Sequence, residues 1–214
     1  TDDEKKAAKD AAKDAADKAK EAIDAATDDA ALNKAKEAGT GEIAKVNPVA
    51  KEAAKKAVAD ELAKKEAEIA GRNDLTDEEK AKAKEEAQAK AKEATDAIDA
   101  QPNNAETPEK AAEAQTAVDG AKDKGVADVT AVNPAATKKP EAKQAIDDAL
   151  KAKEAAIDAR TDLTDDEKKA AKDAAKDAAD KAKEAIDAAT TDAAVDKAKE
   201  AGTGEIAKVN PVAK

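Results

Sequence analysis

The sequence predicts an all-α protein in which slender three-helix bundles repeat in tandem and stack end to end into an elongated rod. Ala, Lys, Glu and Asp dominate its 214 residues, and the β-branched and aromatic residues that favour strands are scarce. Ala is the strongest helix former, so this composition favours helices. Helix-capping motifs recur along the chain, and the pattern that contains them is itself repeated. These observations indicate a modular helical protein.

The large aliphatic residues are too few to build one thick core. The chain holds 64 Ala but only 23 Ile, Leu or Val, and it lacks Phe, Trp, Tyr and Met. Burying one large aliphatic side chain contributes only about 1.5 to 3 kcal/mol, which cannot offset the entropy of a compact globule of this length. The composition is still compatible with thin helical modules, each of which buries one narrow face.

Missing residue types also exclude whole classes of chemistry. Without His, Cys or Ser, the chain has no familiar catalytic triad or dyad and no ligands for zinc, haem or iron–sulfur clusters. The acidic pairs Asp28-Asp29 and Asp165-Asp166 lack the surrounding loop of a calcium site and fit the start of a helix better. We therefore expect no enzyme activity, no cofactor and no metal.

The net charge limits the kinds of partner that the chain can bind. A net charge of −11 repels nucleic-acid phosphates and anionic lipid surfaces, and no apolar stretch approaches the roughly 18 to 20 residues that span a membrane. We expect no nucleic-acid binding, no membrane insertion and a monomer whose partners are its own neighbouring repeats.

A tandem repeat is the strongest signal in the chain. Residues 1–51 and 164–214 are identical at 48 of 51 positions, and a diverged middle copy starts its match at Thr76. The first copy lacks its first helix, as expected for a fragment that begins at the Thr of a repeated motif. We predict a partial repeat at 1–47, a complete repeat with an 11-residue insertion at 48–133, a complete repeat at 134–210 and the start of a further unit at 211–214.

Each complete repeat is predicted to contain three helices, A, B and C. A Thr followed three residues later by Glu forms a capping box at the start of helix B, at Thr1, Thr76 and Thr164. Thr107 with a following Pro gives helix C of the middle repeat a cap of its own. Asn followed by Pro is a good start for a helix, so helix A is predicted to begin at these pairs. They are Asn47-Pro48, Asn133-Pro134 and Asn210-Pro211.

Two further features concern the links and helix C. Pro140 adds a second proline to the second junction, which we predict to be a flexible hinge. Helix C is predicted to kink or break at Gly39-Thr40-Gly41 and at Gly202-Thr203-Gly204.

The insertion equals about three helical turns, which favours a longer bundle over an exposed protrusion. In an alternative topology, helix C runs almost continuously into the next helix A.

The predicted core is a narrow aliphatic stripe. Helix A carries large aliphatic residues at steps of four and seven, which place them on one helical face, and helix B ends in Ile after a face of Ala. The predicted core residues are Val58, Leu62, Ile69, Ile98, Ile146, Leu150, Ile157 and Ile186.

Several motifs resemble a known family. They are Leu163–Lys168 (LTDDEK), 182–191 (AKEAIDAATT), 201–206 (AGTGEI) and Val209-Asn210-Pro211. This combination is similar to a tandem helical repeat of unknown function in wall-anchored surface proteins of Gram-positive bacteria, including staphylococcal biofilm adhesins and matrix-binding-protein homologues. The resemblance implies an extracellular stalk, anchored to the wall through regions outside this sequence and carrying a distal adhesive domain.

The sequence thus favours a structural spacer over two alternatives. One alternative is a repeat module that binds a host serum or matrix protein, but binding hot spots are rich in aromatic residues and Arg, and here only Arg72 and Arg160 are available. A host ligand is therefore not indicated. The other is a disordered chain of the desiccation-protection type, which would need neither phased caps nor a recurring aliphatic stripe.

Overall fold

The computed structural model describes all residues from Thr1 to Lys214. Eight α-helices hold 78% of the chain, which confirms the all-α prediction and does not support a disordered chain. The helices are α1 (Asp2–Asp24), α2 (Asp29–Ala44), α3 (Glu52–Ala70), α4 (Asp77–Asp99), α5 (Pro108–Thr130), α6 (Lys138–Asp158), α7 (Asp165–Ala188) and α8 (Asp192–Lys208). Two short strands, β1 (Asn47–Pro48) and β2 (Asn104–Ala105), pair antiparallel, with Asn47 opposite Ala105. Helix A corresponds to α3 and α6, helix B to α1, α4 and α7, and helix C to α2, α5 and α8.

The chain forms two compact units, and the middle repeat contributes residues to both. Unit 1 contains residues 1–66 and 86–132, and unit 2 contains residues 67–85 and 133–214. In unit 1, α1 packs on α2, and a separate aliphatic cluster joins Val49 to residues of α3, α4 and α5. In unit 2, α6, α7 and α8 pack against one another pairwise around a second cluster. No helix of the chain meets the length and hydropathy needed to cross a bilayer.

The aliphatic stripe lies mainly inside these cores. Six of its residues are buried, and the two leucines in the middle of helix A are half-buried at the rim of their clusters. The buried residues are Val58, Ile69, Ile98, Ile146, Ile157 and Ile186, and the half-buried ones are Leu62 and Leu150.

Helix A does not begin at the Asn-Pro pairs, so that prediction was wrong. Asn47 and Pro48 form β1, and α3 starts only at Glu52. The Asn47 amide donates to the carbonyl of Ala44 at 2.8 Å, so this side chain closes the end of helix C instead of starting helix A. Asn133 and Pro134 likewise precede the start of α6 at Lys138. The last pair, Asn210 and Pro211, follows α8 outside any helix.

At the second junction, the second proline belongs to helix A and not to the linker before it. Pro140 is the third residue of α6 and therefore lies in the first helical turn, where a backbone N–H has no partner within the helix. Helix C also does not run on into helix A, because residues 131–137 separate α5 from α6.

Helix C is unbroken, which corrects the prediction of a kink at its glycines. Both α2 and α8 continue through their Gly-Thr-Gly sequences. Gly202 faces helix B so closely that a Cβ atom built on it would lie 2.3 Å from the Cβ of Ala182. Gly39 has the same relation to Ala19, at 2.3 Å. The first glycine of each motif is thus required by close helix packing, and this packing outweighs its low helix propensity.

The insertion lengthens helix C of the middle repeat. Helix α5 has 23 residues, as many as α4, whereas α2 and α8 have 16 and 17. The remaining inserted residues form the turn that contains β2. The structure thus agrees with the favoured interpretation of a longer bundle.

Candidate functional site: the inter-repeat junctions

The most distinctive polar chemistry lies at the junctions between repeats. We define junction 1 as the start of α1 with residues 45–52, and junction 2 as the turn between α3 and α4 with residues 133–140. Junction 1 lies within unit 1 and junction 2 within unit 2. At both, the start of a helix B meets the chain that leads into the next helix A.

Glu79 caps two helices at junction 2. Its Oε2 accepts from the backbone N–H of Thr76 at 2.9 Å, which completes the capping box of α4. Its Oε1 accepts from the Thr137 N–H at 2.9 Å, the Thr137 hydroxyl at 2.8 Å and the Lys138 N–H at 3.0 Å. Thr137 is the N-cap residue of α6, but its side chain caps nothing. The carboxylate of the preceding repeat therefore supplies the cap that α6 lacks.

The same arrangement recurs at the other capping boxes. Oε1 of Glu4 accepts from the N–H groups of Lys51 at 2.6 Å and Glu52 at 3.0 Å, at the start of α3. Oε1 of Glu167 accepts from the N–H of Lys214 at 3.0 Å. We call Glu4, Glu79 and Glu167 the bridging glutamates. Because these three glutamates occupy equivalent positions and make similar contacts, the bridging contact is a property of the repeat.

The donors around the bridging glutamates favour their charged form. Partial burial alone would raise the pKa of Glu79, but hydrogen bonds from the backbone and hydroxyl groups around it outweigh burial and lower the pKa to about 2. Partial burial alone would raise the pKa of Glu4 as well, but hydrogen bonds from the N-terminal ammonium of Thr1 and from the backbone N–H groups of Glu52 and Lys51 outweigh burial and lower the pKa to about 2. At Glu167, hydrogen bonds from the Thr164 and Lys214 backbone lower the pKa. The helix dipoles that point at these carboxylates act in the same direction.

A buried lysine ties each helix A to the end of its own helix B. Lys139 is only 5% exposed, and its ammonium donates to the carbonyls of Asp187 at 2.7 Å and Asn73 at 2.9 Å. Lys51 is 8% exposed and donates to the carbonyls of Gln101 at 2.8 Å and Asp99 at 3.4 Å. Burying an ammonium is costly unless it is hydrogen-bonded, and carbonyls at a helix C-terminus are favourable partners.

The only two arginines of the chain also serve the junction region. Arg72 holds both carboxylate oxygens of Asp74 at 2.7 Å and donates to the carbonyl of Pro134 at 3.1 Å. Arg160 holds Asp162 in the same way at 2.6 Å and donates to the carbonyl of Pro211 at 3.4 Å. The second and third Asn-Pro pairs thus receive hydrogen bonds from the preceding turn between helices A and B.

Each junction is held by further hydrogen bonds from a second part of the chain. At junction 1 the insertion supplies β2, and Gln115 of α5 makes two hydrogen bonds to the backbone of Ala50, at 2.8 and 3.0 Å. At junction 2 the backbone N–H of Asp77 donates to the Thr190 carbonyl at 2.7 Å, and the N–H of Asp192 donates to Glu78 at 3.0 Å. The inserted segment is therefore docked against the chain between α2 and α3.

The structure places the four predicted threonine caps at helix starts. Thr1 and Thr164 cap α1 and α7 in complete capping boxes, Thr76 caps α4 and is fully buried, and Thr107 caps α5. Sequence reasoning missed the second role of the glutamate in each box, the buried lysines and the role of the arginines. These residues recur at equivalent positions in the sequence, and this was the signal that could have found them. Each glutamate, however, was already explained by its local capping role.

The side chains of the junctions hold parts of the chain in place through hydrogen bonds. No group of three or more acidic residues in the chain is arranged to hold a metal ion. Two surface grooves lined mainly by Ala have volumes of about 590 Å³ between α7 and α8 and about 450 Å³ between α1 and α2. The polar contacts at the junctions connect one repeat to the next.

Comparison with known proteins agrees with this modular organisation. A family model described as a domain of unknown function, DUF1542, matches residues 1–51, 50–137 and 138–214. No curated protein and no solved structure matches the chain. Because the three matches together cover the whole sequence, the chain belongs to the DUF1542 family and consists of tandem segments of its repeat.

Proposed function

We propose that this chain is a spacer segment of a bacterial cell-surface adhesin. In this proposal, its repeats are three-helix bundles that stack end to end and project a distal binding domain away from the cell wall. Two kinds of observation support the proposal. The chain is a tandem array of a family known from Gram-positive surface proteins, and its most elaborate polar contacts join consecutive repeats.

The bridging glutamates carry the argument for a spacer. A stalk must transmit position from one repeat to the next, so its junctions need directional contacts more than a ligand pocket. At junction 2, Glu79 fixes the start of α6 through three hydrogen bonds, while Arg72 holds the linker at Pro134. A net charge of −11 would also keep neighbouring stalks apart on a crowded surface.

A module that itself binds a host protein is less well supported. Such binding usually depends on aromatic and arginine hot spots, and the chain has no aromatic residue. Arg72 and Arg160 are both engaged in bidentate pairs and in contacts to the Asn-Pro segments. No residue of the type that anchors such interfaces is left unengaged.

Small-angle X-ray scattering on lengthened chains tests the spacer directly. An additional copy of residues 134–210 is inserted after Asn210, which preserves the sequence of every junction. A helix of 21 residues is about 32 Å long, so a stacked array gains roughly 35 Å in maximum dimension with each added repeat. For the 214-residue chain, the proposal requires a radius of gyration near 30 Å, against about 17 Å for a globule and about 50 Å for an unfolded chain. A globular radius that grows only with the cube root of length would overturn the proposal.

The surface location is tested separately. An antibody raised against this segment is expected to label intact cells of the source organism and to lose its target after mild surface proteolysis. Labelling that requires cell lysis would exclude the adhesin part of the proposal, and an elongated scattering profile would still support a spacer.

A further inference from the structure

An exposed groove runs between helices B and C in the first and last repeats. Its volume is about 590 Å³ between α7 and α8 and about 450 Å³ between α1 and α2. The last copy stays open although α6 packs on both α7 and α8, and the first copy stays open although the middle repeat follows it. Neither a repeat's own helix A nor the next repeat therefore covers this B–C groove. In the last repeat it is lined chiefly by Ala174, Ala178, Lys181 and Ala185 of α7 and by Ala198 and Ala201 of α8.

The middle repeat closes the B–C groove with long charged side chains. The cavity that remains between α4 and α5 has a volume of only about 50 Å³. The middle repeat forms the same helices without the small residues, so the fold of the repeat does not require them. The open groove is thus a surface feature of the first and last repeats and not a consequence of their helix packing. The replacements are Glu86 for Ala174, Lys90 for Ala178 and Lys124 for Ala201.

The face of helix B along the groove is complementary to itself. On α7 this face is exposed and carries, at steps of three and four residues, two Ala, one Asp, one Lys and two Ala. When two copies of α7 lie antiparallel, Asp177 of each is opposite Lys181 of the other, and each Ala is opposite an Ala. Opposite charges therefore meet at the centre of the contact and small residues meet on both sides. The residues of this face are Ala170, Ala174, Asp177, Lys181, Ala185 and Ala188.

The two central charges of this face are available for such a contact. Asp177 and Lys181 make no hydrogen bond or ion pair within the chain. Other charged residues of α7 are paired along the helix, such as Lys176 with Asp180 at 2.6 Å. The first repeat has the same two unpaired charges, whereas the middle repeat lacks the opposite pair. The counterparts are Asp14 and Lys18 in the first repeat and Ala89 and Glu93 in the middle repeat.

We propose that the B–C groove is a self-association surface, through which helix B of one chain packs antiparallel against helix B of a second copy. The contact is two-fold symmetric, so helix B of each copy lies in the groove of the other. Ala at the contact lets the helices approach closely, and Asp177 with Lys181 forms two ion pairs in each contact. The net charge of −11 opposes the approach of two chains, so a single contact is weak. This association goes beyond the spacer role and differs from the monomer expected from the sequence.

Sedimentation equilibrium of the full 214-residue chain tests the association. We expect the average mass to rise from monomer toward dimer between about 10 μM and 1 mM chain. Asp14→Lys with Asp177→Lys places Lys opposite Lys in every contact and should weaken association at least about fivefold. Adding Lys18→Asp and Lys181→Asp interchanges the two charges and restores the complementary pairs. The dissociation constant should then return to within about twofold of the wild-type value.

Glu37→Lys with Glu200→Lys is the matched control for net charge. Each of these replacements, like each of the two Asp replacements, adds two positive charges, so both double variants have a net charge of −7 instead of −11. Glu37 and Glu200 are exposed on α2 and α8 and do not line the groove. The control should associate at least as tightly as the wild type, because only the repulsion between chains is reduced.

A further variant fills the groove with a residue that the repeat tolerates. Ala15→Lys with Ala178→Lys copies Lys90 of the middle repeat into both grooves and should weaken association at least about tenfold. Circular dichroism checks that each variant is as helical as the wild type. No rise in mass up to about 1 mM chain would overturn the proposal. So would unchanged association of the filled variant, or interchanged charges that fail to restore association.

Discussion

Glu79 is hydrogen-bonded through both carboxylate oxygens, so two helices depend on one side chain. We expect Glu79→Ala to lower the free energy of unfolding by about 2 kcal/mol, because the N–H groups that it caps lose their charged acceptor. Hydrogen exchange should show the loss locally, as faster exchange of the Thr137 and Lys138 amides.

Glu85 provides a matched control for this substitution. It lies on the same helix α4, is exposed and makes no hydrogen bond. Glu85→Ala should change the free energy of unfolding by no more than about 0.5 kcal/mol. If both variants lost equal stability, or if the Thr137 amide kept its protection in Glu79→Ala, the bridging role would be refuted.

The bridging glutamates also make stability depend on acidity. Glu4 and Glu79 have folded-state pKa values of about 2, below the ordinary value of 4.5. A lowered pKa contributes stability that is fully present above the unfolded value and is lost as pH falls through the folded value. We therefore expect the melting temperature to be insensitive to these groups above about pH 5.5 and to fall steadily between about pH 5 and pH 2.

Melting curves by circular dichroism at a series of pH values measure this decline. Glu79→Gln keeps an amide oxygen for one set of donors but does not titrate, so its decline should be shallower than that of the wild type. An NMR titration of the Glu79 side-chain carboxyl carbon gives its pKa directly, and a midpoint near 4.5 would contradict the bridged geometry.

At the scale of a helix, the two glycines of α8 are expected to respond oppositely to the same substitution. Gly202→Ala should cost about 1 to 3 kcal/mol, because its Cβ atom would meet Ala182 at 2.3 Å and the helices would have to separate. Gly204 has no atom within 4 Å of a built Cβ, so Gly204→Ala should stabilise the chain by about 0.5 to 1 kcal/mol. Urea unfolding of the two variants, followed by circular dichroism, measures both effects. Stabilisation by both substitutions would show that α7 and α8 are not in close contact.

Helix starts that depend on nearby residues were predictable from the sequence. Thr164 and Glu167 satisfy each other within one turn, so the motif alone locates the start of α7. The start of α6 was not predictable in this way. Its N–H groups are capped by Glu79, which is 58 residues away from Thr137, and no local signal contains that partner. Asn133 and Pro134 were misassigned as a helix start for a similar reason, because Arg72, which donates to both, lies 61 and 62 residues away in sequence.

The glycines and the insertion show a second limit of sequence reasoning. Propensity favours a break at Gly202, but a residue without a side chain is what the neighbouring helix requires there. The capped helix α5 was recognisable from Thr107 and Pro108, whereas the pairing of Asn104 and Ala105 with β1 depends on a tertiary contact. Composition and periodicity therefore fixed the class of fold, and the junction chemistry emerged only in three dimensions.

At the scale of the whole molecule, the junction contacts should control flexibility more than helix content. We expect Arg72→Ala combined with Glu79→Ala to retain most helical signal but to broaden the distance distribution between spin labels on α4 and α8, at two positions within unit 2. The chain contains no Cys, so labels can be attached at Glu85→Cys and Glu200→Cys alone.

The same pair of substitutions at Arg160 and Glu167 is the control. Those residues contact only Pro211 and Lys214 beyond their own turn, so the distribution between the labels should keep its width. Equal broadening in both variants would indicate a general loss of stability. No broadening in either would mean that the junction owes its geometry to apolar packing alone.

The bridging contacts also impose an order on synthesis. Each glutamate is translated before the helix that it caps: Glu4 precedes Lys51 by 47 residues, and Glu79 precedes Thr137 by 58. At 5 to 20 residues per second, a ribosome needs about 3 to 12 s to cover the longer interval, and helices form in microseconds. The acceptor is therefore in place when its donors emerge. Each repeat starts its successor, and folding can advance along the array in the direction of translation.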